Sequence, residues 1–468
     1  MRRHRAIARV VCCPRNPLCL RALVPFVPLA LVVITVAVPA RGATLTLVDA
    51  VNRALHDGPE AQIARLEADQ AGNLASSARS AYWPQLRLTS RAGYSNRQDE
   101  KLVAVDGQGV VREYGLATLG SDRGWVNVFI DQLLFDLGRW RQIERTEIEA
   151  EAARVAEDEQ RERISLVTLE RYVDVLQLEE FLALDRERVT EAQWLAQQGE
   201  ALSRGGRALA AEREQAALSL EEARLEADLR SQGLADARRA LWLAIGATDT
   251  EGGTLELAAD SVPVPGNPDD DPASEEVIAT TPELRVLALR RKMEEITLAA
   301  VRAERFPTLG VRTGYSNYGT KRFDNFQDEV YVGVNFDLPI FDGFRTKASI
   351  EAATKAAEIA RLRYETMLET KRTRVRELAR RLATALRRPE LAKRRAGVAR
   401  DLARFARLNL QADRGTLDAA LAANEAAVAN AQGAVDAYFD RIRAWATLKR
   451  ETGLLAEAVA GEAQAAHH

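Results

Sequence analysis

The sequence predicts a mainly α-helical protein with a membrane β-barrel, built from two tandem copies of one helix, strand, strand, helix, helix unit. Three observations lead to this fold class: an N-terminal export signal, an internal repeat, and two stretches of almost 70 residues with hardly any proline or glycine. Aromatic residues make up only 6% of the 468 residues, while Ala, Glu, Arg and Leu dominate. Such a composition is typical of long helices.

Residues 1–42 have the pattern of a secretory signal peptide. Seven arginines and no acidic residue accompany an apolar run over 22–40, and small residues permit cleavage before Arg41 or Ala43. A retained membrane anchor is the alternative, but three prolines in the run disfavour a spanning helix. All three cysteines lie in this segment, so the mature chain is expected to lack a thiol for a disulfide or a lipid anchor.

Two pairs of dipeptides reveal a duplication. Pro59-Glu60 and Pro282-Glu283 lie 223 positions apart, as do Trp83-Pro84 and Phe306-Pro307, and each aromatic-proline pair is followed by Gly-Tyr-Ser-Asn. We therefore expect two repeats, a linker rich in Gly and Pro, and a disordered tail. The expected bounds are 43–260 for the first repeat, 250–274 for the linker, 275–453 for the second repeat and 454–468 for the tail.

Each repeat is predicted to start with a helix that leads into two strands. In the first repeat, a Thr46-x-x-Asp49 capping box starts this helix, Gly58-Pro59 interrupts it and Pro84 forces an extended backbone. The remaining elements follow from the hydrophobic period. In the first repeat they are strands 85–96 and 124–134 and helices 138–203 and 207–246; in the second, an opening helix, strands 308–317 and 329–339, and helices 343–411 and 416–452.

The four predicted strands alternate between apolar and polar residues. The clearest example is 329–339, where Val330, Val332 and Val334 alternate with Gly333 and Asn335. A soluble sheet with one exposed face gives the same pattern, but the export signal and the very long helices favour an outer-membrane barrel. The polar segments 97–123 and 319–328 are expected to form its surface loops.

Four strands cannot close into a barrel, and an open sheet edge is not tolerated in lipid. Several chains must therefore contribute strands to one barrel. Eight strands from two chains would leave a lumen filled by side chains, whereas twelve from three would leave a water-filled one. The polar faces of the strands favour three chains.

The long helices are expected to extend far from the sheet. About 65 residues at 1.5 Å each give about 100 Å, and their 3-4 apolar spacing calls for partner helices, as in a coiled coil. Each helix can reverse only where its pattern breaks, at Gly205-Gly206 in the first repeat and at Asp413-Arg414-Gly415 in the second. Glycine at these turns predicts a left-handed backbone at positions 205 and 415.

Charge and motifs argue against several other functions. Removing seven of 65 basic residues with the signal leaves 58 against 68 acidic ones, a net charge of about −10 that disfavours nucleic acid as a partner. The mature chain contains only three histidines, His56, His467 and His468, and no metalloprotease, nucleophile-elbow or phosphate-loop motif. The sequence therefore predicts no enzyme, no metal and no cofactor.

The duplicated order resembles the TolC-like outer membrane efflux protein family from Thr44 to about Gly453. The resemblance rests on the repeated Pro-Glu and aromatic-Pro pairs, Pro339-Ile340-Phe341-Asp342-Gly343, and Arg-Gly at 204–205 and 414–415. It implies a homotrimer with a 12-stranded barrel in the outer membrane and an α-helical tunnel across the periplasm. It also implies two partners, a periplasmic membrane-fusion adaptor and an inner-membrane ABC or proton-driven transporter.

Several residues acquire roles through this resemblance. The helical turns would form a periplasmic tip that docks the adaptor, with Arg204, Gly205, Gly206, Asp413, Arg414 and Gly415. The junctions between barrel and helices would contain Pro84, Phe135, Gly138, Pro307, Pro339, Phe341 and Gly343. Gate carboxylates are expected six and nine residues after the second tip glycine, where this chain has Leu421 and Asn424. Asp413 and Asp418 are the substitutes, so the gate candidates are Asp413, Asp418 and Asn424.

The sequence does not identify the exported substrate. The absence of a lipid-anchor cysteine, together with the resemblance, favours the type I protein secretion branch over a lipidated drug pump. A multidrug or small-molecule efflux channel is the alternative, and a periplasm-spanning coiled-coil structural protein is a remote one. A coiled-coil structural protein would explain the long helices but not the polar faces of the strands.

Overall fold

A computed structural model describes residues 44–94, 101–105, 111–115, 122–247, 256–262, 275–320 and 325–465. The predicted signal at 1–42 lies outside these residues. The helices are α1 (Leu47–His56), α2 (Pro59–Arg79), α3 (Leu137–Arg204), α4 (Ala210–Ala244), α5 (Glu275–Ala279), α6 (Pro282–Ala303), α7 (Arg345–Gln411), α8 (Leu417–Thr452) and α9 (Leu455–Ala465). The strands are β1 (Thr44–Leu45), β2 (Gln85–Tyr94), β3 (Lys101–Val105), β4 (Val111–Gly115), β5 (Asp122–Phe135), β6 (Glu256–Leu257), β7 (Thr308–Thr320) and β8 (Asn325–Asp337).

The mainly helical fold class with a four-stranded sheet is confirmed. Helices α3 and α7 contain 68 and 67 residues, so each is about 100 Å long. The helices form one layer in which each contacts its lateral neighbours: α2, α3, α6 and α7 near the sheet, and α4, α3, α8 and α7 further away. The layer therefore ends at α2 and α4 on one side and at α7 on the other.

The main sheet is antiparallel, with strand order β2-β5-β7-β8. Leu88, Val128, Tyr315 and Val330 lie in register across its four strands, so their side chains share one face. This face is apolar and exposed in the single chain; the side chain of Val332, for example, is 74% exposed. The opposite face contains the cross-strand ion pair of Asp131 with Arg312. The strands thus separate an apolar surface from a polar one.

A third region packs against the middle of the helical layer. Strands β1 and β6 pair in parallel, and the buried hydroxyl of Tyr172 in α3 donates to the carbonyl oxygens of Leu45 and Ala258, at 2.8 and 3.0 Å. These hydrogen bonds connect β1, at the start of the first repeat, and the residues that follow β6 to the same side chain. The buried Tyr172 therefore holds both segments against α3.

Four segments differ from the sequence-based expectation, and one of them is the loop expected at 319–328, which contains the ends of β7 and β8. Residues 455–465, expected to be disordered, form α9, whose Leu455 is fully buried and whose N-terminus is capped by the Glu162 carboxylate, 2.9 Å from the Leu455 amide. Burial raises the pKa of Glu162, against the opposing effect of these hydrogen bonds. The expected linker contains β6, and the expected loop 97–123 contains the β3–β4 hairpin. Helix α9 and strand β6 depend on contacts with residues distant in sequence, and the strands of the β3–β4 hairpin are too short to give a clear sequence pattern.

Within the described part of the chain, no helix is both long enough and apolar enough to cross a membrane.

Candidate functional site

The repeated Phe-Asp pair forms the junction between the sheet and the long helices. Asp136 caps α3, since its Oδ1 accepts a hydrogen bond from the amide of Arg139 at 2.8 Å. Asp342 likewise accepts from the amide of Thr346 at 2.8 Å and from its hydroxyl, and these hydrogen bonds lower the pKa of the Asp342 carboxyl. The sequence showed these aspartates only as a repeat. An Asp directly before a long helical pattern was the available signal for a cap.

The predicted junction residues lie where the chain changes from strand to helix. Pro84 and Pro307 directly precede β2 and β7, and Pro339 follows β8. Gly138 is the second residue of α3, after the capping Asp136 and Leu137. Gly343 and Phe344 are both left-handed, with φ of 65° and 67°, so α7 starts two residues later than the sequence predicted. Such a backbone is unfavourable for Phe344 by about 1–2 kcal/mol.

Large aromatic side chains project from the same junction. Most are more than half exposed in the single chain, and two of them, Phe341 and Phe344, pack edge to face with ring centroids 5.6 Å apart. Rings at the border between an apolar band and a polar region are typical of a membrane interface. The exposed aromatic residues are Trp83, Trp140, Phe306, Phe341 and Phe344.

At the far end of the molecule, the first turn joins α3 to α4. The left-handed residue is Gly206, with φ of 68°, whereas Gly205 has φ of −80°. The amide of Arg207 donates to the Leu202 carbonyl oxygen at 2.8 Å and that of Gly206 to Ser203 at 3.1 Å, as in a glycine-terminated helix. The expectation of a left-handed backbone at position 205 was therefore wrong by one residue.

The second turn joins α7 to α8, and its left-handed residue is Asp413, with φ of 60°. Gly415 has another role: a Cβ atom there would lie 3.2 Å from Asn409 Cβ and from the Leu410 amide nitrogen. Gly415 thus lets the turn pack closely on the end of α7. The expectation of a left-handed backbone at position 415 was wrong, because an aspartate provides it.

An ion pair joins the two turns. Arg207 Nη2 lies 2.6 Å from Asp413 Oδ1, and this hydrogen bond and the positive charge lower the pKa of the Asp413 carboxyl. The structure therefore brings both predicted turns together. Arg207 was missed by sequence reasoning, because its partner is distant in the chain. Of the other predicted tip residues, Arg204 lies 3.5 Å from Glu200, and Arg414 donates its amide to the Asn409 carbonyl oxygen at 2.8 Å.

A small hydrophobic cluster packs directly behind the turns. Leu421, one of the positions where a gate carboxylate was expected, is buried in it. A Cβ atom at Gly199 would lie 3.0 Å from Leu417, so the two hairpins approach closely here. The cluster contains Leu195, Ala216, Leu410, Leu417, Ala420 and Leu421.

The three gate candidates have different environments. Asp413 is exposed and paired with Arg207. Asp418 is exposed in the first turn of α8, and no ion pair involves it among the described residues. Asn424 is half-buried and lines a groove between α3, α7 and α8. Of these three candidates, Asp413 is the one whose ion pair joins the two hairpins.

Substitution of Gly206 is expected to disturb the tip. Valine at this left-handed position is unfavourable by about 1–2 kcal/mol, whereas a Cβ at Gly205 would meet no atom closer than 3.5 Å. Gly206→Val should therefore accelerate trypsin cleavage at Arg204 and Arg207 in the folded protein, and Gly205→Ala should not. Equal cleavage rates in both variants would contradict this assignment of the turn.

The two lateral edges of the helical layer carry exposed apolar seams. On α7, three apolar side chains at seven-residue spacing are more than half exposed, and on α4 three leucines follow seven- and four-residue spacing. Charge differs between the edges: residues 371–407 contain 14 Lys and Arg against three Asp and Glu, whereas 210–229 contain six Asp and Glu against two Arg. The seams are Leu391, Val398 and Phe405 on α7, and Leu218, Leu225 and Leu229 on α4.

Residues 273–454 match the model of the outer membrane efflux protein family. No curated protein sequence matches the chain. The matched segment spans the second repeat from its opening helices to the end of α8.

Solved structures resemble nearly the whole chain. VceC, an outer membrane protein of Vibrio cholerae, is 14% identical over 87% of this chain and 96% of its own, with a TM-score of 0.71. The CmeC outer membrane channel of Campylobacter jejuni is 14% identical over 87% and 86%, with a TM-score of 0.74. The open MtrE outer membrane channel of Neisseria gonorrhoeae is 16% identical over 88% and 89%, with a TM-score of 0.62. At such identities the likeness establishes the fold.

Proposed function

Because residues 273–454 match the model of the outer membrane efflux protein family and the chain has the fold of outer membrane channels, we propose that this protein is the outer-membrane conduit of a tripartite export system. In this role it receives cargo from an inner-membrane transporter and a periplasmic adaptor. The observation that carries the proposal is the combination of one apolar, exposed sheet face with helices about 100 Å long.

The sheet is proposed to lie in the outer membrane. Its exposed valines and leucines would face lipid, and the aromatic residues of the junction would lie at the periplasmic interface. The hydrogen-bonding edges of β2 and β8 end the sheet in a single chain. Open edges are unstable in lipid, so copies of the chain must pair these edges.

A second copy of the chain is the proposed occupant of the exposed seams. The acidic α4 of one copy fits the basic α7 of the next, and the sheet ends on the corresponding sides, at β2 and β8. Such a head-to-tail contact closes into a ring when the rotation between copies allows it. Three copies would give a 12-stranded barrel with a water-filled lumen, so we propose a homotrimer.

The tip is proposed to dock the adaptor and to open during export. The paired turns lie at the end farthest from the sheet, and the Arg207–Asp413 ion pair holds the two hairpins together. Opening would require the hairpins to separate. Asp413 is therefore the proposed gate residue, and Gly206 and Gly415 give the turns the shape that the adaptor would recognise.

Loss of the ion pair is expected to favour the open tip. Asp413→Asn removes the charge but keeps a similar shape, so purified protein in a planar bilayer should conduct for a larger fraction of the time. Asp418→Asn removes a charge of the same sign five residues further along the chain, in the first turn of α8, and serves as control. An equal increase in both variants would show that net charge, and not the pair, sets the conductance.

We infer a type I protein secretion role as the favoured use of this conduit, with multidrug or small-molecule efflux as the alternative. The support is the absence of cysteine after the proposed signal, which leaves no site for a lipid anchor. A deletion strain tests both uses. Loss of a secreted polypeptide with unchanged drug susceptibility supports secretion; raised susceptibility with an unchanged secretome supports efflux; neither change would contradict the proposed function.

A further inference from the structure

The C-terminal half of α7 contains pairs of arginines at a seven-residue interval. The pairs are Arg380-Arg381, Arg387-Arg388 and Arg394-Arg395. Seven residues are almost two helical turns, a rise of about 10.5 Å, so the second arginine of each pair lies on one helix face. Arg381, Arg388 and Arg395 are referred to below as the arginine ladder.

The ladder lines an open groove between α7 and α8. Arg381 and Arg388 line one stretch of it, and Arg388 and Arg395 line the next. All three side chains are exposed, and no carboxylate of the described residues lies within 4 Å of their guanidinium groups. The positive charge of the ladder is thus not balanced by an ion pair within the chain.

Three carboxylates, those of Glu170, Asp436 and Asp440, also line this groove. Asp436 accepts a hydrogen bond from Gln177 Nε2 at 2.6 Å, and Asp440 lies 3.7 Å from Arg443 Nη1. Arg443 is also 2.6 Å from Asp174. These groups form a network centred on α3 and α8, and none of its described carboxylates lies within 4 Å of a ladder guanidinium group.

The ladder lies on the side of the helical layer away from the β6 segment. The opposite groove between α7 and α8, lined by Pro389 and Lys393, includes Leu257, Ala259 and Val262 among its walls. The same segment is hydrogen-bonded to Tyr172 together with Leu45 of β1. In a ring of copies, β1 and the β6 segment would fill the conduit if they lay on its inner side. The face of the helical layer that carries them is therefore the outer one, and the ladder, on the opposite face, lines the conduit.

We propose that the arginine ladder makes the conduit selective for negatively charged cargo that bears carboxylate or phosphate groups. This inference rests on the proposed function. In a trimer the ladder forms three successive rings of three guanidinium groups. A narrow passage with low-dielectric walls focuses such a field, and guanidinium groups bind carboxylate and phosphate through paired hydrogen bonds.

Ion selectivity of the purified full-length protein in a planar bilayer tests the proposal. The reversal potential in a KCl gradient should show a preference for chloride. The variant with Arg381→Gln, Arg388→Gln and Arg395→Gln should lose this preference or become cation-selective. The control has Lys393→Gln, Arg400→Gln and Arg404→Gln, which removes the same charge from the face of α7 that lines the opposite grooves, and it should keep the preference.

The outcomes distinguish failure of the inference from failure of the proposed function. A protein that conducts without chloride preference, or whose two triple variants shift equally, overturns the ladder proposal alone. A protein that inserts and does not conduct overturns the proposed function. Oligomers of unchanged size in both variants show that folding is intact.

The source of the anionic groups is tested by current block. Citrate and a hexaglutamate peptide are added on the side of the helical tip. Block that is lost in the ladder variant and kept in the control supports the proposal, and the more potent blocker identifies a small organic acid or an acidic polypeptide as the preferred cargo. Absence of block by both probes would contradict the proposal.

Discussion

Arginine in place of Val332 is expected to prevent stable insertion of the sheet into the outer membrane. Val332 lies near the middle of β8, pairs with Thr313 of β7 and is 74% exposed on the apolar face. A lipid-facing arginine near the bilayer midplane is unfavourable by about 2–4 kcal/mol. The heat-stable, membrane-inserted fraction of Val332→Arg should therefore fall sharply compared with the unmodified protein.

Asn335→Arg is the matched control. Asn335 lies on the same strand but opposite Gly310, and its side chain lies on the polar face, which also carries the side chain of Arg312. An arginine there would face water in the proposed lumen, so insertion should stay near the unmodified level. Equal insertion of the Val332 and Asn335 variants would show that the apolar face does not meet lipid.

Glutamate in place of Phe405 is expected to abolish assembly. Phe405 lies at the end of the α7 seam and is 62% exposed in the single chain. In the proposed ring it would be buried against the next copy, which contributes about 1.5–3 kcal/mol for a phenylalanine side chain. A buried glutamate would lose this contribution and would also face the acidic α4 of its neighbour. Light scattering in detergent should show monomers.

Gly397→Glu provides the control for Phe405→Glu. It introduces the same residue about two turns away, outside the seam, where a Cβ atom meets nothing within 4 Å. Glutamate also favours helix more than glycine does, by roughly 0.5–1 kcal/mol. The control should therefore assemble normally. Monomers from both variants would point to a general effect of charge on α7, and oligomers from both would place the interface elsewhere.

Local patterns predicted most of the fold. The alternation in 329–339 identified the apolar face of β8, and the absence of glycine and proline predicted the length of α3 and α7, because both signals arise from the geometry of one element. The turns at 205–206 and 413–415 were visible for the same reason. Their backbone was less predictable: the left-handed conformation falls on Gly206 and Asp413, since helix termination depends on where the last hydrogen bonds close.

Long-range contacts were not predictable from one sequence. The ion pair of Arg207 with Asp413 joins residues from different repeats, and nothing in either segment marks the partner. The helix α9 was missed because 455–465 is short and rich in alanine, and its order depends on the buried Glu162 carboxylate at its N-terminus. The arginine ladder was present in the sequence, but its groove required the packing of α7 on α8.

Single-channel recording of the purified protein in a planar bilayer tests the central claim most directly. If folded oligomers form a conduit through the outer membrane, discrete steps of current should appear after insertion, and their open fraction should increase in Asp413→Asn. Folded oligomers that insert into the bilayer and leave the current at baseline, in both the unmodified protein and Asp413→Asn, would contradict an export conduit and favour a periplasm-spanning structural protein.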